Sequence, residues 1–210
     1  MGPIEPREVE DKMTRSPFTR MGTGIVLGLA ISTIAVAQAH NRKDAHMKIQ
    51  EVKVQRVSIV TMKSFDAVLA GVDREIGHPD MASFRGELSK AHNEADMQKL
   101  MDNVAQPNGL MEFARFDLGE ILQKENGTNK PRIVRIVAGN PLIMKEMVKH
   151  VPDAGSYAPI TILIEEEGSH VRLSYDRMAS YLAPYGNKDA LEVARELDAK
   201  VERILDAAAE

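Results

Sequence analysis

Three groups of residues in this chain have types and spacings that could do chemistry. The first is the tripeptide Gly139-Asn140-Pro141. A residue without a side chain, a good helix cap and a proline suited to a first helical turn mark the passage from a strand into a helix. The free N–H groups and dipole of such a start attract anions. Arg115, expected on a neighbouring strand, would add a bidentate partner for a carboxylate. The second group is His170 and Arg172, which alternate with Val171 and Leu173 and therefore share one polar face of a strand. That face is either solvated or used as a ligand groove or partner contact. The third is His40 and His46. Ala37-Gln38-Ala39 has the small-x-small form of an export cleavage site, and cutting after Ala39 would leave His40 as the N-terminus. Its α-amino nitrogen and imidazole would then chelate Cu(II), with His46 or Asp44 as further ligands. Copper is the one cofactor these residues suggest, and only for a processed chain.

Recognised catalytic patterns are missing. The six histidines include no H-E-x-x-H spacing. No G-x-S-x-G elbow surrounds a serine, and no glycine-rich phosphate loop lies outside residues 21–24. With no cysteine, thiolate catalysis, thiolate metal sites and disulfides are excluded. The balance of 27 basic against 31 acidic residues, without basic clusters, is wrong for a nucleic-acid partner. An enzyme of unrecognised type stays open as an alternative to a binding domain.

The elements that must position these residues can be read in order. From Met21 to Ala39 the chain is uncharged and follows Arg15 and Arg20. Residues 1–39 are thus a secretory signal peptide or a membrane anchor helix, with Met13 as an alternative start. Either reading places the rest outside the cytoplasm, in the periplasm or tethered to the inner membrane through residues 21–39. Residues 40–51 are a polar linker, and the body of the protein spans 52–186.

VKVQRVSIVT (52–61) has the β-branched content of a strand, and Ser64 caps a helix to Ile76. Residues 79–105 are helical in period and broken near Asn93, with Met81, Phe84, Leu88, Met97, Leu100 and Met101 as core filler. LMEFARF is a strand; Asp117 and Glu120 form a capping box for a short helix. RIVRIVAG (132–139) is a buried strand, and Asn140 caps the helix after it. ITILIEEEGSHVRLSYD is a hairpin turning at Gly168, and residues 187–210 are an amphipathic helix packed on the domain. The fold class is α+β: a mostly antiparallel sheet with helices packed on one face, plus the N-terminal signal or anchor helix.

Three segments, GLMEFARFDLGEIL, RIVRIVAGNPLIMKEM and ITILIEEEGSHVRLSYD, carry a likeness in their order and spacing. Together they resemble the bacterial domain-of-unknown-function family 302, from about Val52 to Tyr185. The most specific pieces are Gly139-Asn140-Pro141 with Met144 one turn later, the strand with Phe113 and Asp117, and Leu173-Ser174-Tyr175. Many members of that family carry a cysteine where this chain has Gly139, so no thiol role transfers. The resemblance implies a compact α+β domain, often a homodimer, often exported or tethered, with no established reaction. The function expected is that of an exported, non-enzymatic domain binding a small molecule or an envelope protein. The alternative is a periplasmic copper protein using His40.

Overall fold

Alternation sets the sheet. In Ile160–Glu167 (β4), as far as Ile164, and in His170–Asp176 (β5) every second residue is apolar and faces inward, and Ile160, Ile162, Ile164, Val171, Leu173 and Tyr175 are all buried. Gly168, at φ +64°, makes the turn between them in a conformation that costs glycine little. Arg56–Thr61 (β1) pairs with β5, Ile133–Gly139 (β3) with β4, and Met111–Asp117 (β2) with β3. The result is a five-stranded antiparallel sheet in the order β1-β5-β4-β3-β2. The computed structural model describes residues 47–126 and 131–210, and Lys48–Glu210 form one compact unit.

Helix starts follow the capping residues. Ser64, Asp80, Asn93, Asn140 and Asn187 each accept a backbone N–H from the first turn that follows. They open Phe65–Glu75 (α1), Met81–Lys90 (α2), Glu94–Val104 (α3), Pro141–Val148 (α5) and Lys188–Ala209 (α7). Asp117 Oδ1 accepts the Glu120 N–H at 2.8 Å where Leu118–Asn126 (α4) begins. Three short pieces had no counterpart in the sequence reading: the 3-10 turns Pro152–Ser156 and Ala183–Tyr185, and the helix Met178–Leu182 (α6).

The main core lies between the sheet and α1, α5, α6 and α7. Helix α7 supplies Ala190, Ala194, Leu197, Val201, Ile204 and Leu205 to it. Gly71 lets α1 lie close on α7: a Cβ there would stand 2.8 Å from the Ala208 Cα. A smaller cluster forms where Phe84 of α2 and Met101 of α3 meet Met111 of β2. The opposite face of the sheet carries Arg56, Ser58, Thr161, Leu163, Arg135, His170, Arg172 and Ser174 by register.

Residues 21–39, read as a signal or anchor, lie outside the described residues, as do His40 and His46. Among the described residues no helix is long and apolar enough to cross a membrane.

Candidate functional site

The Asn140 turn is built as a cap. Asn140 is extended at φ −144°, ψ 121°, and its Oδ1 accepts the Leu142 N–H at 2.8 Å. Its Nδ2 donates to the Gly109 carbonyl at 2.9 Å, which ties the start of α5 to the loop entering β2. Pro141 has no N–H to offer, so the turn spends its first donors internally.

What the turn borders is an apolar pocket of about 310 Å³. Phe84 and Leu88 of α2 form one wall, and Phe113 of β2 meets Phe84 edge-to-face, with centroids 6.4 Å apart at 81°. Met144 and Met147 of α5 form the other wall, and Pro159 closes one side. Gly139 lines the pocket, and a Cβ there would be 3.3 Å from both Phe113 Cε2 and Pro159 Cβ. A side chain there would crowd the space that the glycine leaves. Among the described residues the lining includes no titratable side chain.

Arg115 is not among those lining residues. Its guanidinium is held by Asp73 of α1, a contact made through both Asp73 oxygens, and by Glu112, at 3.2 Å to Oε1 and 2.5 Å to Oε2. Residues three apart on a regular strand face opposite sides. A bulge between Glu112 and Ala114 adds one residue and returns Glu112 and Arg115 to the same side. Burial opposes the Arg115 charge, but the hydrogen bonds from Asp73 and Glu112 outweigh it and hold the guanidinium above its ordinary range. His78 joins this group: its Nε2 lies 2.9 Å from the Asp73 carbonyl oxygen, and its Nδ1 lies 3.4 Å from Glu112 Oε2. Asp73, His78 and Glu112 place ligand atoms within 4.8 Å of one another, the donor set of a divalent cation. Arg115 already engages both carboxylates, so a metal would have to displace a guanidinium.

His170 and Arg172 do lie together. Arg172 binds Glu165 and reaches Glu167 at 2.5 Å, and His170 Nε2 is 3.2 Å from Glu167 Oε2. Arg172 draws Glu167 below the usual carboxylate range. Arg172 pairs across Glu165 to Ile133, six residues along β3 from Gly139. At roughly 3.4 Å per residue this separates the two groups by about 20 Å. They are two sites, not one.

Sequence reasoning missed a buried carboxylate. Asp198 of α7, 5% exposed, accepts the Tyr175 hydroxyl at 2.6 Å, the Met178 N–H at 2.7 Å and the Ala179 N–H at 3.1 Å. It thereby caps α6 from a distance. The signal was present: Asp198 falls four residues after Ala194 and three before Val201, a charge inside an apolar stripe. Burial away from water raises its carboxyl above the ordinary value of 3.8.

The family described as "Domain of unknown function DUF302" matches residues 87–208. In structure the chain is similar to an uncharacterized conserved DUF302 protein from Bacillus stearothermophilus, known from a crystal structure. The TM-score is 0.51 at 10% identity, over 73% of this chain and 97% of that one, which shows the shared fold. No curated protein matches the chain. The chain belongs to the DUF302 family.

Proposed function

We propose that this DUF302 member is a non-enzymatic binding domain that takes a small apolar ligand into the pocket beside the Asn140 turn. The observation that carries the reading is the composition of that pocket: about 310 Å³ walled by Phe84, Leu88, Phe113, Met144, Met147 and Pro159. Concave, carbon-lined space of this size is where small ligands bind, and the methionines give walls that adapt to a guest. The Asn140 amide is spent on Leu142 and Gly109, so recognition rests on shape and apolar contact. The uncharged run 21–39 after Arg15 and Arg20 supports a place of work outside the cytoplasm.

The test is a thermal-shift titration of the full-length chain with 2-naphthol and 1-decanol. A guest that binds only the folded state adds about 2.7 kcal/mol at a hundredfold excess over Kd. Leu88→Gln and Met144→Gln, at half-buried wall positions, should remove that gain while leaving the unliganded midpoint close to wild type. A gain that persists in both variants, or no gain in the wild type, rejects the pocket as the binding site.

A further inference from the structure

The face of the sheet opposite the main core holds a second concavity of about 300 Å³, and its chemistry differs from that of the first. Register places Arg135, Leu163, Ser174 and Ser58 in one row across β3, β4, β5 and β1. Val137, Thr161, Asp176 and Arg56 form the next row where their strands pair. Beyond them Tyr157 and Tyr181 stack with centroids 4.7 Å apart at 16°, making an aromatic end wall.

Two features of this groove are unexplained by folding. Arg135 donates to Thr161 Oγ1 at 3.3 Å and lies 5.9 Å from the Phe116 ring, yet among the described residues no carboxylate lies within ion-pair distance of it. The other arginine of the groove, Arg56, is fully engaged by Asp176 at 2.6 and 2.8 Å. Ser174 is only 3% exposed, and among the described residues nothing hydrogen-bonds to its hydroxyl. No closed-off side-chain polar atom of the described residues lacks a partner, so this hydroxyl opens into the groove it lines. In the groove that hydroxyl is free to donate to a guest or accept from one.

Arg56 and Asp176 cancel, which among the described residues leaves the groove lining with the single positive charge of Arg135. A monoanion balances it; a dianion would overshoot. Arg135 and Ser174 stand two strands apart, about 10 Å between backbones, with the Leu163 side chain between them as an apolar floor. We infer that this groove is a binding site for a small monocarboxylate with an apolar or aromatic body. The carboxylate meets Arg135 and the Thr161 and Ser174 hydroxyls, and the body lies over Leu163 against Tyr181. Arginine suits this task because its planar fork matches a carboxylate. The site is independent of the apolar pocket and shares only the margin residues Pro159 and Ile160 with it.

The probe is sodium benzoate, followed in the full-length chain by amide NMR shifts, with neutral benzamide as its isosteric control. Benzoate should saturate shifts at Arg135, Thr161, Leu163 and Ser174. Benzamide should bind about tenfold more weakly or worse, as should benzoate to the exposed-site variant Arg135→Gln. Ser174→Ala, a change of one atom, should weaken benzoate about threefold. Equal affinity for benzamide, unchanged affinity in Arg135→Gln, or no saturation in the wild type each overturns the inference. Benzoate shifts confined to Leu88 and Met144 overturn it too, while supporting the apolar pocket.

Discussion

Asp198→Ala tests how the C-terminal helix is fastened to the sheet. In the folded chain one carboxylate accepts the Tyr175 hydroxyl and the Met178 and Ala179 amides, all in a buried setting. Alanine strands these donors, although Met178 keeps a 3.2 Å bond to the Tyr175 oxygen. Two donors then lose their only acceptor. At ~1–3 kcal/mol for each unsatisfied group, the loss comes to about 3 kcal/mol. For a domain of this size that lowers Tm by roughly 6–12 °C. Asp198→Asn keeps the shape and an acceptor for Tyr175 and Met178 but turns an amide nitrogen toward the Ala179 N–H, so it should cost ~1–3 kcal/mol and no more than alanine does. The pH dependence separates the two forms further. Burial raises the folded carboxyl above 3.8, so the folded state holds this proton to higher pH than the unfolded chain. The corresponding stability is present below the unfolded value and is lost as pH rises through the folded one. Asn cannot titrate, so wild type should lose stability relative to Asp198→Asn as pH climbs from 3.8. Urea unfolding followed by circular dichroism reads all three proteins. An Asp198→Ala midpoint equal to wild type at an unchanged m-value would refute the reasoning.

Two further substitutions probe the α5 cap and the α1–α7 crossing. Asn140→Ala removes the α5 cap and the bond to the Gly109 carbonyl, and should cost about 2 kcal/mol in urea unfolding. Asn140→Asp keeps the cap but not the Gly109 bond, and should fall midway; equal losses in the two variants would mean that the cap contributes nothing. Gly71→Ala drives a Cβ to 2.8 Å from the Ala208 backbone and should cost ~1–3 kcal/mol by calorimetry as α1 is pushed off α7. A stabilised Gly71→Ala would show that the two helices have slack at this crossing.

The strands and long helices were legible because their signals are local. Alternation at Ile160, Ile162 and Ile164 fixes both the strand and its buried face, and Ser64, Asn140 and Asn187 mark helix starts through their own side chains. Helix α6 was not legible: five residues between an arginine and a proline-containing turn show no full apolar period, and its cap comes from Asp198, twenty residues away in sequence from Met178. The apolar pocket was half legible. Gly139-Asn140-Pro141 announces the turn, but its character depends on where α2 lies, and nothing local in Phe84 or Leu88 says that they face α5. Arg115 was misplaced for another reason, since one extra residue in β2 redirects its side chain toward Asp73, and a bulge leaves no reliable mark in a single sequence.

Residue type alone therefore ranks the arginines poorly as ligand partners. Arg115 and Arg172 stand out in the sequence by their places on strands, and the carboxylates of Asp73, Glu112, Glu165 and Glu167 are what neutralise them in the fold. Arg56 is neutralised in the same way by Asp176. A cation whose carboxylates are supplied by its own sheet has most of its attraction for an outside anion cancelled, because a ligand must compete with partners already held in place. Arg135 has no such partner among the described residues and shares its face of the sheet with Ser174, whose hydroxyl opens into the same groove. An arginine's functional weight in this fold follows from the charge left over after the sheet has paired its own. That quantity emerges only once the register of β3, β4 and β5 decides which side chains share a face.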